Sequence, residues 1–68
     1  MSVSFSANGK PRSVAPGTTV ADLLAAAELD PLRVFVEYNG EPLARERYAT
    51  TAITSGDRIE IAQMVGGG

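Results

Sequence analysis

The sequence predicts an α+β roll: a mixed sheet of four to five strands with one main helix packed on one face. Three observations lead there. Stretches with the period-2 alternation of half-buried strands stand near both ends of the chain. Two Asn-Gly dipeptides, a strong short-range signal for a tight hairpin, each sit between two such stretches. One apolar stripe at helical spacing follows a capping signal.

In the first stretch Val3, Phe5 and Ala7 alternate with Ser2, Ser4 and Ser6. Asn8-Gly9 turns the chain, and a return strand runs from Lys10 to about Val14, with Pro11 acceptable only where no amide is needed at a sheet edge. Ala15-Pro16-Gly17 breaks the pattern. Thr19-Val20-Ala21-Asp22 then has the form of a capping box, with Asp in place of the preferred Glu. Val20, Leu23, Leu24 and Ala27 form the helical stripe. Asp30-Pro31 disfavours helical geometry, so a short helix from about Val20 to Glu28 is expected.

Val34-Phe35-Val36-Glu37-Tyr38 is rich in β-branched and aromatic residues and reads as a central strand. Asn39-Gly40 leads to a brief strand at Glu41-Pro42-Leu43, and a helical turn is expected around Arg45 to Tyr48. Thr54-Ser55-Gly56-Asp57 is a turn. Arg58-Ile59-Glu60-Ile61 opens a last strand that runs on to Met64 or Val65. The first and last strands are the candidates for a parallel pair at the sheet centre. Phe5, Leu23, Leu24, Val36, Ile59 and Ile61 are the expected core, Phe35 and Tyr38 remain open, and Asp57, Arg58, Glu37 and Glu60 read as a solvated charged face.

Composition narrows the chemistry. Sixty-eight residues make one domain with a small core, burying about 60% of the unfolded surface. With no Cys and no His, the chain has neither a disulfide framework nor the usual zinc sites, and it has no His-dependent nucleophile. Six basic residues are scattered among eight acidic ones for a net charge of −2, which argues against a nucleic-acid footprint. No apolar run approaches the roughly 18 residues of a membrane span, and no signal peptide is visible, so a cytoplasmic protein is expected. Glu41 and Glu46 do not make an acid/base dyad, because nothing around them suggests a cleft.

The chain closes on Gly66-Gly67-Gly68, directly after the last strand. A side-chain-free tail can enter a channel that rejects any Cβ, and residues 66–68 read as a flexible tail on a domain of residues 1–65. A frayed end is the alternative. Ala62 and Met64 alternate away from Ile59 and Ile61, and with Val65 they are candidates for a partner-binding patch.

Taken in order, these segments resemble the small ubiquitin-like sulfur carriers, and most closely the thiamine-biosynthesis sulfur carrier family known as ThiS. The resemblance is carried by Asn8-Gly9, by Pro16-Gly17-Thr18-Thr19-Val20-Ala21-Asp22-Leu23-Leu24, by Val36-Glu37-Tyr38-Asn39-Gly40-Glu41, and by Ser55 to Ile61 running into Met64-Val65-Gly66-Gly67-Gly68. Pro42-Leu43-Ala44-Arg45 stands where the family often has Val-Pro-Arg, and Ala62-Gln63 where many relatives carry larger apolar residues.

The resemblance implies a ubiquitin-like β-grasp fold and a reactive C-terminus at Gly68. Gly67 would give that terminus passage and Gly66 would give it reach. An adenylyltransferase of the ubiquitin-activating type would use ATP to form an acyl-adenylate. A persulfide donor would convert this to a thiocarboxylate, and a thiazole synthase would receive the sulfur. The protein would be a co-substrate and no enzyme, with no bound cofactor or metal. Delivery to molybdopterin or another acceptor, a protein-modifying tag, and an interaction module with an inert tail are the alternatives.

Overall fold

The computed structural model describes residues 1–64. Strand β1 (Val3–Ala7) and strand β2 (Lys10–Val14) form a hairpin, followed by helix α1 (Val20–Ala26) and a 3-10 turn at Pro31–Arg33. Strand β3 (Val34–Tyr38), the short strand β4 (Glu41–Pro42), a second 3-10 turn at Arg45–Arg47 and strand β5 (Arg58–Gln63) complete the order. The strands lie side by side as β2-β1-β5-β3-β4. β1 and β5 are the parallel pair near the middle, and all other pairings are antiparallel.

Local sequence accounts for most of these boundaries. Both Asn-Gly turns take the left-handed geometry that a two-residue hairpin requires, with φ of 52° and 80° at Asn8-Gly9 and 54° and 88° at Asn39-Gly40. Ser6 donates its amide across to the Asp57 carbonyl on the β5 side (2.9 Å) and lies opposite Pro11. Pro11 therefore faces the outer edge, where its missing N–H costs no ladder bond. The capping box forms as expected: the Thr19 hydroxyl accepts from the Asp22 amide (3.1 Å), and the Asp22 carboxylate accepts from the Thr19 amide (3.0 Å).

The helix ends sooner than its pattern suggests, at Ala26 instead of Glu28. Glu28 takes φ of 59°, its amide donates to the Ala25 carbonyl (3.0 Å), and the Leu29 amide donates to the Leu24 carbonyl (2.9 Å). This paired closure satisfies the last helical carbonyls before the Asp30-Pro31 step is reached. The Pro31–Arg33 turn was not legible beforehand; the Asp30 carboxylate nucleates it by accepting from the Leu32 amide (2.9 Å). β4 stops at Pro42, although the Leu43 amide still reaches the Val36 carbonyl (2.9 Å).

One face of the sheet packs on α1. Phe5, Leu23, Leu24, Val36 and Ile59 are buried there as expected, together with Ala7, Val20, Val34, Tyr48 and Ile53. Ile61 is only half-buried: it packs at the border of the core and lines a surface cavity with Leu23, Ala27 and Leu29. Tyr48 and Ile53 belong to a segment of weak periodicity. They are drawn in because the Val20 and Ala21 amides at the helix start donate to the carbonyls of Thr51 (3.0 Å) and Tyr48 (2.9 Å). The opposite face of the sheet is open.

Candidate functional site

The site is the far end of β5 and the open sheet face beside it. Phe35 lies directly opposite Ala62 in the β3–β5 ladder, with Glu37 opposite Glu60 one step further along that face. Phe35 is 60% exposed and Met64 44% exposed, and Ala62 is exposed opposite Phe35. Phe35 and Ala62 thus give an uncovered apolar strip bordered by two carboxylates, and Met64 is exposed just past the end of β5. Like charges directly opposite each other on a sheet are unfavourable when nothing answers them. Of the aromatic residues the sequence left open, Phe35 faces solvent and Tyr38 is half-buried, its hydroxyl turned inward.

The residues proposed for the chemistry divide accordingly. Ala62 lies on the strip, on the side of β5 away from Ile59, whereas Met64 lies past the strand end and lines a surface hollow with Leu29, Arg33 and Val34. Val65, Gly66, Gly67 and Gly68 lie outside the described residues. β5 ends at Gln63, and one further bond, from the Met64 amide to the Arg33 carbonyl (2.9 Å), extends the β3 side of the ladder.

Asp57 corrects the reading of a solvated charged face. It is 7% exposed. Its carboxylate accepts from the Tyr38 hydroxyl, the Thr54 amide (2.8 Å), the Thr54 hydroxyl (3.0 Å) and the Asn39 side-chain amide (3.1 Å). Burial pushes this carboxyl upward, but the bonds from Tyr38, Thr54 and Asn39 outweigh it and hold the group below its ordinary value. Tyr38 is pushed above its ordinary value, chiefly by its bond to Asp57 and then by burial. The network fixes the turn that launches β5. Among the described residues no three Asp or Glu side chains come together as a metal site.

Two asparagines show a role that their turn signal did not announce. The Asn39 side-chain oxygen accepts from the Arg58 amide (2.7 Å) at the start of β5. The Asn8 side chain accepts from the Ile61 amide (2.7 Å) and donates to the Ile61 carbonyl (3.2 Å) near its end. Asn-Gly marks a hairpin through two residues, whereas the Asn8 contact spans 53 positions, so no local pattern reveals it.

A five-stranded mixed sheet in this order, with one helix across a single face, defines the ubiquitin-like β-grasp class. The ThiS family model matches residues 6–68, and the chain belongs to the ThiS family. It is 44% identical over 50 residues to the sulfur carrier protein ThiS of Bacillus subtilis, covering 74% of this chain and 76% of that one. It is also 38% identical over 61 residues to a thiazole synthase of Paramagnetospirillum magneticum. That match covers 90% of this chain but only 19% of the relative, so the chain spans about a fifth of the length of the thiazole synthase. The fold resembles the crystal structure of the thiamine biosynthesis protein ThiS from Geobacter metallireducens, with a TM-score of 0.78 and 36% identity over 97% of this chain and all of the other. Among the described residues no helix is long and apolar enough to cross a membrane.

Proposed function

We propose that the chain is a sulfur carrier of thiamine biosynthesis, a protein co-substrate whose reactive group is the carboxylate of Gly68. Membership of the ThiS family, matched through residue 68, carries this reading. The absence of Cys and His supports it, because it leaves no side chain suited to hold or transfer sulfur. Residues 1–65 act as the folded bead and residues 66–68 as the tail.

A carboxylate is a poor electrophile until an oxygen carries a good leaving group. In the proposed cycle an adenylyltransferase of the ubiquitin-activating type joins the Gly68 carboxylate to the α-phosphate of ATP, and pyrophosphate leaves. The terminal sulfur of a persulfide donor attacks the acyl carbon and displaces AMP. A thiol then cleaves the resulting acyl disulfide, becoming disulfide-bonded itself, and Gly68 is left as a thiocarboxylate. Thiazole formation is the favoured destination, since a thiazole synthase relative contains a region matching 90% of this chain. Gly67, lacking a side chain, lets the terminus pass into a narrow channel, and Gly66 adds reach.

Docking on the activating partner would use Phe35, Ala62, Met64 and Val65. Exposed aromatic and methionine side chains are favoured anchors at interfaces. The facing Glu37 and Glu60 call for cationic groups on the partner beside its apolar pocket. The decisive measurement is intact mass after incubation with ATP, the activating enzyme and a persulfide donor. Exchange of one oxygen for sulfur at Gly68 is the expected product. Isopeptide-linked adducts would indicate a protein-modifying tag, and full function after deletion of Gly68 would indicate an inert tail.

A further inference from the structure

The two edges of β5 are held by different devices. On the β3 side the ladder runs from Tyr38 opposite Ile59 to Val34 opposite Gln63, then continues through the Met64 bond to Arg33. On the β1 side the parallel pairing comprises Ser6 with Arg58 and Ala7 with Ile59, followed by the Asn8 amide donating to the Ile59 carbonyl (2.9 Å). There β1 turns away into Asn8-Gly9, and the next peptide group of β5 facing that side belongs to Ile61. A primary carboxamide offers the same donor and acceptor as a peptide unit. The Asn8 side chain takes up that position, accepting from the Ile61 amide (2.7 Å) and donating to the Ile61 carbonyl (3.2 Å). It extends β1 by one residue's worth of hydrogen bonding after the backbone has left.

We propose that Asn8 is a positioning residue for tail delivery, its carboxamide holding the end of β5 so that the docking strip is presented to the partner in one orientation. This role rests on the sulfur-carrier reading. Ile61 immediately precedes Ala62, which faces Phe35, so the clamp acts at the point where the strip begins. Without it, residues 61–63 keep partners only along the β3 edge, and the strand end can swing about that edge. An activating enzyme that needs one presentation then meets it in a smaller fraction of molecules, and the apparent affinity falls by that fraction. Chemistry after docking is unchanged.

Asn8→Gly is the informative variant, because glycine accepts the φ of 52° and removes only the carboxamide. Asn8→Asp keeps the turn and the acceptor for the Ile61 amide but loses the donor to the Ile61 carbonyl. Backbone amide exchange of Ile61 is expected to accelerate about tenfold in Asn8→Gly, the equivalent of one net hydrogen bond, while Phe5 and Leu24 are unchanged. Asn8→Asp should fall between this variant and the parent chain. With a ubiquitin-activating-type adenylyltransferase, ATP–pyrophosphate exchange should show KM for the carrier raised about threefold to tenfold at constant kcat.

Faster Ile61 exchange with unchanged KM would overturn the delivery role and leave a seal on a strand edge. Unchanged Ile61 exchange would overturn the clamp itself. A lower kcat at constant KM would also overturn it, since the effect would then lie in the chemistry. If the parent chain supports no pyrophosphate exchange, the sulfur-carrier reading fails and the delivery role with it, while the Ile61 result still reports on the clamp.

Discussion

The Asn8-Gly9 and Asn39-Gly40 turns share a dipeptide, a backbone geometry and a target, yet they carry different loads. Each closes a hairpin with nearly equal left-handed φ values, and each sends its asparagine side chain to β5. Asn39 works with a second layer: it holds Arg58 and also donates to Asp57, which is buried and bonded to Tyr38 and Thr54. Asn8 has no such layer, and its two bonds to Ile61 are exposed to water. One local code thus builds a partly buried anchor at the start of the strand and an exposed clamp near its end. The anchor serves stability and the clamp serves presentation, because a hydrogen bond shielded from water costs more to lose.

The largest break in this comparison is Asp57→Asn. It replaces an acceptor of four bonds with an amide whose NH2 opposes either the Thr54 amide at one oxygen position or the Asn39 side-chain amide at the other, and about 3 kcal/mol of stability should be lost. In a domain of 68 residues each kcal/mol shifts the melting midpoint by roughly 4–8 °C, so calorimetry will resolve it. The same substitution should remove a pH dependence. Asp57 is held below its ordinary value in the folded chain, so its contribution is present above about pH 4 and lost as pH falls through the folded value. Tyr38 is raised, so its contribution is present below about pH 10 and lost as pH rises further. Urea unfolding across pH should show the acid limb in the parent chain and in Asn8→Gly, and a flattened one in Asp57→Asn.

Asn39→Gly comes next, at about 2 kcal/mol for two bonds lost with the turn geometry preserved. Gly9→Ala and Gly40→Ala should each cost about 1–2 kcal/mol, because both require a left-handed backbone. A Cβ on Gly40 would sit 3.3 Å from the movable end of Arg58, whereas one on Gly9 meets nothing within 4 Å. Matching costs would show that the turns are equivalent as backbone and differ only in their asparagine side chains. The smallest effect is Asn8→Gly, about 1 kcal/mol or less in urea titration, since water can replace both exposed bonds. A loss equal to that of Asn39→Gly would erase the distinction between anchor and clamp.

Much of this architecture was legible in the chain because it is encoded over short distances. Asn8-Gly9 and Asn39-Gly40 each specify a hairpin by conformational preference, and Thr19 to Asp22 starts the helix within one turn. The alternation in Val3–Ala7 and Arg58–Ile61 marked the first and last strands as candidates for the parallel pair that the structure shows. The exposed apolar strip was half legible: alternation placed Ala62 away from Ile59, while Phe35 could not be assigned until its neighbours were known. The helix end escaped because Glu28 adopts a geometry that glycine usually fills. Tyr48 and Ile53 escaped because their burial depends on carbonyls that meet the helix N-terminus from a distant segment.

The sequence by itself determined the turns, the helix start and the candidacy of the first and last strands for the parallel pair, and it showed a chain without Cys or His. These follow from conformational preference and side-chain inventory, which act on neighbours along the chain. Only the tertiary structure decided that Asp57 is buried, that Phe35 is uncovered, and that Asn8 reaches Ile61. Burial and long-range hydrogen bonding depend on which segments close upon each other, and a residue's type does not say which partner will be in reach.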